Sequence, residues 1–486
     1  MYYKLKFHTI FRDFGEIGYL IYQRLPYDID RVVNNIGSVF LSALSYEPQE
    51  IDELALMVAS KFNNVSIEEV RNDMISFFND LEEEGFIDSA VSFQKCKEKT
   101  DWFDYSKEDS YLPKVEYQYK SKRQVTQDFL EKRFSEKPRL MKFQIEITNV
   151  CNERCIHCYI PHHIKKQIMS EDLFYRILNQ LKSMGIVSLG ISGGEAMSHP
   201  KFKEFIKAVK ELNVNISLLT NLTLLTDEIV SLFEKSRITV IPSLYSLNEE
   251  HHDYITQVKG SCKKTIEGIL KLVEHSIPVE INCPIMNANK DDVIELIHWA
   301  KKKHIVVKTD NCIIARCDRS TDNLENRLSI SDLERIDKLL IDENEIFKRV
   351  ILADDYDQEV EKLFYDMEGR WCGVGVSCCC ADAYGNVCPC PSWSDYNSGN
   401  LETETLEDIW LNSANFKYIR SLRKKDFPKC SVCEDKAYCS VCMAKNANES
   451  PIKNPLDVND YFCKLSHINR ETIENWRKNH LGKEGK

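Results

Sequence analysis

Residues 149–161 read NVCNERCIHCYIP. Three cysteines, Cys151, Cys155 and Cys158, fall inside this one short loop, with no fourth cysteine nearby. Thiolates spaced in this way can converge on a single centre, because a loop this short can curl around it. Soft sulfur ligands select iron–sulfur clusters, zinc or copper. A structural zinc site is normally closed by four ligands, and His157, His162 and His163 are the local candidates for a fourth. The other reading is a cubane cluster with three irons held by protein and one iron open. Open coordination positions belong to chemistry rather than to scaffolding.

The surrounding rhythm gives this loop its place. KFQIEIT before it reads as a strand, and SEDLFYRILNQLKSMG after it as a helix with Ser170 as N-cap and acids in its first turn. Strand and helix then alternate: VSLGIS, KFKEFIKAVKELN, NISLLTN, TDEIVSLFEKS, ITVIPSLYS, SCKKTIEGILKLVEHS, PVEINCPIM, KDDVIELIHWAKKKH, VVKTDNCIIA and SISDLERIDKLLIDENEIF. Six β/α units of this kind predict a parallel sheet with helices outside it, an α/β partial (β/α)6 barrel where eight units would close a full one. Ligands gather at the C-terminal ends of such strands. The cysteine loop leaves the first strand at that end.

With 486 residues the chain exceeds one ordinary core, so several domains are expected. We divide it into residues 1–90, a linker at 91–140, the barrel at 141–350 and a cysteine-rich part at 351–486. In 1–90, KLKFHTI and EIGYLIYQR read as strands. SIEEVRNDMISFFNDLEEEGFI reads as a helix, with Val70, Met74, Phe77, Phe78 and Leu81 at helical spacing, Ser66 as N-cap and Gly85 as the stop. Strands followed by short helices suggest a small winged-helix-like domain. No apolar run is long enough to span a membrane and no signal peptide is visible, so a cytoplasmic protein is expected. The net charge of −12 disfavours nucleic acid as the main partner.

Nineteen cysteines in a long cytoplasmic chain point to metal or redox chemistry rather than to disulfides. Besides the three in the loop, eleven lie between Cys372 and Cys463. WCGVGVSCCCADAYGNVCPC and KCSVCEDKAYCSVC carry most of them. Paired Cys-x-x-Cys motifs would ordinarily suggest a zinc ribbon, but the count exceeds one zinc site. A second motif stands after the second barrel strand, in GISGGEAMSHP. There Gly193 and Gly194 let the backbone approach a ligand closely, and Glu195 supplies a carboxylate for an amine.

Cys-x-x-x-Cys-x-x-Cys after the first strand of a partial barrel resembles the radical S-adenosylmethionine (SAM) superfamily. The resemblance implies a [4Fe-4S] cluster on Cys151, Cys155 and Cys158 that binds SAM through its open iron. It also implies a Gly193-Gly194-Glu195 segment holding the SAM amino group. Asn221, beside Thr220, and Ser243, near Ser246, would lie against the ribose and carboxylate of SAM. The order of gaps in the C-terminal part resembles the SPASM domain, which holds two auxiliary [4Fe-4S] clusters. The first would take Cys372, Cys378, Cys390 and Cys442, and the second Cys430, Cys433, Cys439 and Cys463. The gap from Cys439 to Cys442 is two, where the family usually has three. Cys379, Cys380 and Cys388 are surplus. The N-terminal part resembles the PqqD-like recognition element of enzymes that modify ribosomally made peptides. That element adds a leader peptide as an extra strand beside its own sheet. The expected exposed edge lies in residues 15–24, with a helix near 67–84.

Together these resemblances imply a peptide maturase. A donor such as a flavodoxin or ferredoxin supplies one electron, SAM is cleaved to a 5′-deoxyadenosyl radical, and that radical takes a hydrogen atom from a precursor peptide. The auxiliary clusters accept an electron as the new bond forms. Cysteine thioether crosslinks are the first expectation. Carbon–carbon crosslinking between side chains is the alternative, and a non-catalytic zinc-binding winged-helix regulator the alternative of a different class. Asp382, His251 and His252 are ionisable candidates for a general base.

Overall fold

The computed structural model describes residues 1–24, 27–106 and 126–481. Residues 107–125, the middle of the expected linker, lie outside the described residues.

The N-terminal unit closes on itself. β1 (Tyr2–Leu5) pairs antiparallel with both β5 (Gln49–Glu50) and β6 (Ile87–Ala90). The chain turns at residues 6–8, so the strand read through KLKFHTI is two strands. β2 (Thr9–Asp13), β3 (Ile17–Arg24) and β4 (Tyr27–Asn34) form a second, antiparallel sheet in the order β2-β3-β4. The expected edge at residues 15–24 is therefore corrected. β3 is the central strand, paired on both sides, and β4 has β3 as its one partner among the described residues. The strand ending at Arg24 is too apolar for an edge. Leu20 and Tyr22 face one core, while Ile17, Tyr19 and Ile21 face another. The helix Ile67–Glu83 is capped as read. Ser66 accepts from the Glu69 amide at 3.1 Å, and Glu69 reaches back to the Ser66 amide at 2.9 Å. Such a box contributes about 1 kcal/mol. Val70, Met74, Phe78 and Leu81 line its buried face, while Phe77 is half-buried between Arg31 and Phe40.

The barrel strands are β7 (Lys142–Thr148), β8 (Ser188–Gly193), β9 (Asn215–Thr220), β10 (Ile238–Pro242), β11 (Glu280–Pro284) and β12 (Val306–Asp310). β7 to β10 are neighbours in one parallel sheet. Bridges Val240–Val279 and Ser243–Asn282 continue it to the β11–β12 pair. Six β/α units thus form a partial barrel, as the alternation predicted. The last helix differs from its reading: it breaks at Asn344, which caps a new helix, Glu345–Leu352, and a further helix spans Tyr356–Tyr365.

On the other side of β7 the sheet is extended by the cysteine-rich part. β13 (Cys378–Ala381) pairs parallel with β7, and β14 (Val387–Cys388) pairs antiparallel with β13. The six-stranded order is β10-β9-β8-β7-β13-β14. Along β7, Phe143, Ile145 and Ile147 pack outward into the helices, so Gln144, Glu146 and Thr148 face inward. In β13, Cys379 and Ala381 share the outward core, and Cys378 and Cys380 share the inward face. Partly solvent-touched residues mark the inner face of the neighbouring strands: Gly190, Ser217, Thr239 and Asn282 keep some exposure while their sequence neighbours are sealed.

The N-terminal unit docks at the base of the barrel, where the strands begin. Arg12 donates to the carbonyls of Ile186 (2.9 Å) and Asn213 (2.7 Å), and Arg237 donates to the Phe7 carbonyl at 2.7 Å. The helix Thr126–Arg133 and the segment after it are wedged between the two units. Leu130 and Phe134 pack with Ile21, Met141 and Val187.

Candidate functional site

The cysteine loop lies across the barrel mouth and is held at both ends. The amides of Arg154 and Ile156 donate to the carbonyls of Thr256 and Ile255, at 3.0 and 2.9 Å. On the other side Arg316, paired with Asp322, donates to the Cys158 carbonyl at 2.6 Å, and the Cys317 amide donates to the Tyr159 carbonyl. The two glycines after β8 serve this loop directly. A Cβ on Gly193 would lie 2.1 Å from the Thr148 carbonyl oxygen, and one on Gly194 2.5 Å from that of Val150. Gly193 also has φ +151°. What they approach most closely is the backbone that carries the thiols.

Cys151, Cys155 and Cys158 are brought together: the other two thiols both act on that of Cys155. Burial pushes the Cys151 thiol up to about 11 and also holds the Cys155 thiol well above its ordinary value. Such thiols become thiolates only when a cation or metal compensates them. Among the described residues no three His, Cys, Asp or Glu side chains close on a point where one metal ion would sit. The Nδ1 atoms of His157 and His162 are buried without a partner. Three gathered thiols with no fourth fit a larger group with an open position.

Beside the thiols lies a network of buried polar groups. The Glu195 carboxylate accepts from the Met197 amide (2.9 Å), the Thr220 hydroxyl (2.8 Å) and the Asn221 amide (2.6 Å). One of its acceptor positions stays open. Asn221 donates to Asn152 at 2.9 Å and lies 4.0 Å from the Cys151 sulfur. Ser243 bonds through its amide to the Thr220 carbonyl, and its hydroxyl engages Tyr245. The Tyr245 hydroxyl points at the Cys155 sulfur, 3.9 Å away. Glu153, in the loop itself, is buried with Oε1 unpartnered, and burial raises its carboxyl to about 8. Sequence reasoning passed over Glu153, Tyr245 and Glu146. A lone acid inside the apolar strand KFQIEIT was the one visible signal for Glu146. Of the three base candidates, His251 is engaged by Asp292 at 2.6 Å, the His252 ring accepts from the Tyr245 amide at 3.3 Å, and Asp382 organises the β13–β14 turn through Tyr384 and Asn386.

The C-terminal cysteines fall into two groups. Cys390 is surrounded by Cys442, Cys372 and Cys378, and Cys430 by Cys439, Cys463 and Cys433. The first group gathers at β13 and just past β14, with Cys378 on β13 itself. The second is nearer the surface, with Cys463 exposed. The surplus Cys379, Cys380 and Cys388 are buried, and none of the nineteen cysteines forms a disulfide.

Residues 145–300 match the model of the radical SAM superfamily, and residues 372–435 that of SPASM, an iron–sulfur cluster-binding domain. The chain carries a radical SAM domain and a SPASM domain, and the two imply SAM and [4Fe-4S] clusters as cofactors. The AdoMet-dependent heme synthase of Methanosarcina barkeri is 25% identical over 329 residues, covering 63% of this chain and 92% of its own. The antilisterial bacteriocin subtilosin biosynthesis protein AlbA of Bacillus subtilis is 24% identical over 327 residues, covering 65% of this chain and 70% of its own. The crystal structure of Streptococcus suis SuiB bound to S-adenosylmethionine aligns over 95% of this chain and 99% of its own, with a TM-score of 0.59 at 18% identity. The same protein bound to precursor peptide SuiA aligns with a TM-score of 0.58. At such identity the likeness establishes the fold. No described helix is long and apolar enough to cross a membrane.

Proposed function

We propose that this enzyme crosslinks a ribosomally made precursor peptide, joining a cysteine sulfur to a carbon of another residue. The observation that carries the peptide reading is the N-terminal unit. It presents an edge of β4 that has no strand partner among the described residues, beside the helix Ile67–Glu83, on a chain whose fold follows SuiB almost end to end. The leader would add a strand to β4, with main-chain hydrogen bonds giving affinity and side-chain pockets giving specificity. Arg31 and Ile29, on the helix-facing side of β4, would meet it first.

In this reading Cys151, Cys155 and Cys158 hold the SAM-binding cluster, and Gly193, Gly194, Glu195, Asn221 and Ser243 hold SAM. The open position on Glu195 and the free Oε1 of Glu153 suit the ammonium of its methionine part. When bound, cluster and SAM together supply a 5′-deoxyadenosyl radical after one-electron reduction. The chain's own part is position and exclusion of water. The loop is fixed from both sides, and the helices seal the outer faces of the strands. Cys372, Cys378, Cys390 and Cys442 would hold the first auxiliary cluster, close behind the lumen face. Cys430, Cys433, Cys439 and Cys463 would hold the second, nearer the surface. Four thiols per group would leave both closed, which suits electron transfer rather than binding of a substrate thiolate. A flavodoxin or ferredoxin would be the donor.

The test is iron, sulfide and 5′-deoxyadenosine after anaerobic reconstitution. We expect about twelve irons per chain, falling to about eight in a Cys151/Cys155/Cys158→Ala variant, with SAM cleavage lost. Zinc without sulfide, or cleavage surviving the variant, would overturn the cofactor assignment. For the bond, the peptide encoded beside the gene should lose two hydrogens and one alkylatable thiol. A product that loses two hydrogens but keeps every thiol alkylatable is carbon–carbon crosslinked.

A further inference from the structure

Glu146 has no role in the reading above. It lies two residues before the end of β7, on the inward face, with 7% of its surface exposed. Its Oε1 accepts from the Tyr159 hydroxyl at 2.6 Å, and no other hydrogen bond or ion pair to it is found among the described residues. The groups that act on it or feel its charge are Tyr159, Asp382, Cys317, Cys380 and Cys388, none of them a cation. The lysine on β12, Lys308, is paired with Glu280 on β11 at 2.8 Å. Arg316, at the mouth, is held by Asp322. A buried carboxylate without a counter-charge is costly in a folded protein. Burial, with the nearby charge of Asp382 adding to it and the Tyr159 hydrogen bond opposing it, raises this one to about 7.

We infer that Glu146 is a specificity residue that receives a positively charged side chain, lysine or arginine, of the substrate peptide inside the barrel lumen. The inference rests on the reading that a peptide enters that lumen. Its place agrees. Glu146 lies under the cysteine loop through Tyr159, the residue after Cys158. On the other side it is near β13, where Cys378 and Cys380 share its face. A cation docked there holds the neighbouring peptide carbons between the thiols of the mouth and those of the first C-terminal group. Gly190, Ser217 and Asn282 keep some exposure on the inner faces of β8, β9 and β11. Tyr159 orients the carboxylate and leaves Oε2 for the incoming group. Because the site is mostly desolvated, a neutral side chain of equal length gains nothing comparable there.

Equilibrium dialysis against the reconstituted protein with SAM tests this. The probes are acetyl-Gly-Gly-X-Gly-Gly-amide, with X lysine, arginine or norleucine, quantified by mass spectrometry. We expect the two cationic peptides to bind at least about fivefold more tightly than norleucine. Glu146→Gln should erase that difference and leave the norleucine peptide unchanged, while Glu146→Asp keeps part of it and guards against a variant that fails to fold. Equal binding of all three peptides by the parent protein overturns the inference. So does a preference that survives Glu146→Gln, or a variant whose only defect is in turnover, which would make Glu146 a proton acceptor instead. Dialysis needs no radical chemistry. A parent protein that shows the cation preference but forms no 5′-deoxyadenosine overturns the function and leaves this site standing.

Discussion

The two ends of the barrel treat buried polar groups in opposite ways. At the base, Arg12 and Arg237 cross from one unit to the other and spend their donors on backbone carbonyls. Arg237 also lies over the rings of Phe7 and Tyr46, 4.1 and 4.9 Å from their centroids. At the mouth, Glu153 Oε1 and His157 Nδ1 are buried with no partner, and Glu146 keeps a single hydrogen bond. Buried polar atoms are normally satisfied, and each exception asks for a reason. The base is a joint that is nearly complete in itself: one buried amide nitrogen there, Asn215 Nδ2, lacks a partner. The mouth is incomplete in itself and is completed by what binds there. Both ends come from the same six strands; what sets the mouth apart is the cysteine loop together with Glu146 on β7.

The largest effect that would sharpen this contrast is at Gly194. Alanine there places a methyl group 2.5 Å from the Val150 carbonyl and 2.6 Å from that of Asn149, so the loop carrying the thiols must shift. Displacing reacting groups by about 1 Å can cost about a hundredfold in rate. We expect SAM cleavage to fall by about that factor in Gly194→Ala, with the melting temperature nearly unchanged. An unimpaired variant would show that the loop tolerates movement and that the mouth is less ordered than the base. The next effect belongs to the base. Arg12→Ala removes four cross-unit hydrogen bonds, to the carbonyls of Gly185, Ile186 (two) and Asn213, and leaves those carbonyls without their side-chain donor, which should destabilise the docked N-terminal unit by about 3 kcal/mol. Peptide-independent SAM cleavage should survive, and the loss should read out in limited proteolysis near residues 126–141. If cleavage fell together with docking, the two ends would be coupled and the contrast too sharp.

Much of this was legible in the sequence for a physical reason. Helical and strand periods are local, so the six β/α units, the caps at Ser66 and Ser170 and the stop at Gly85 could be read directly. The cysteine spacings were legible because ligands in one loop or hairpin must lie close in sequence. Pairings between distant segments were not. Nothing in SCCCADAYGNVC announces that Cys378–Ala381 will lie beside β7, more than two hundred residues earlier. The edge of the N-terminal sheet was misplaced for the same reason, since alternation identifies a strand's faces but not its neighbours. Glu153 and Glu146 escaped because a single acid in a loop or strand is ordinary until its surroundings are known. Gly193 and Gly194 were recognised as a close approach, but the partner they approach, the cysteine loop, is a tertiary fact.

The smallest effect tests how far the rule about unpartnered atoms extends. Asp337 lies on the helix Ile330–Glu343, which packs near Tyr461 of the C-terminal helix, and its Oδ2 is also buried without a partner. Burial alone raises its carboxyl to about 7. No thiol group, glycine motif or lumen face is near it in the chain, so it should be a stability defect rather than a site. The sign follows from proton uptake. Below about pH 4 the acid is protonated in both native and unfolded chains and costs nothing extra. Between about 4 and 7 the unfolded chain ionises while the native one keeps its proton, so native stability falls as pH rises through that window, and the penalty is constant above it. Asp337→Asn abolishes this slope. It should leave the melting temperature at pH 4 unchanged and raise it by about 2–4 °C at pH 8. SAM cleavage should not move at either pH. A variant that is no more stable at pH 8, or one that loses cleavage, would mean that unpartnered burial marks function outside the mouth as well. The contrast between the two ends would then be one case of a wider pattern.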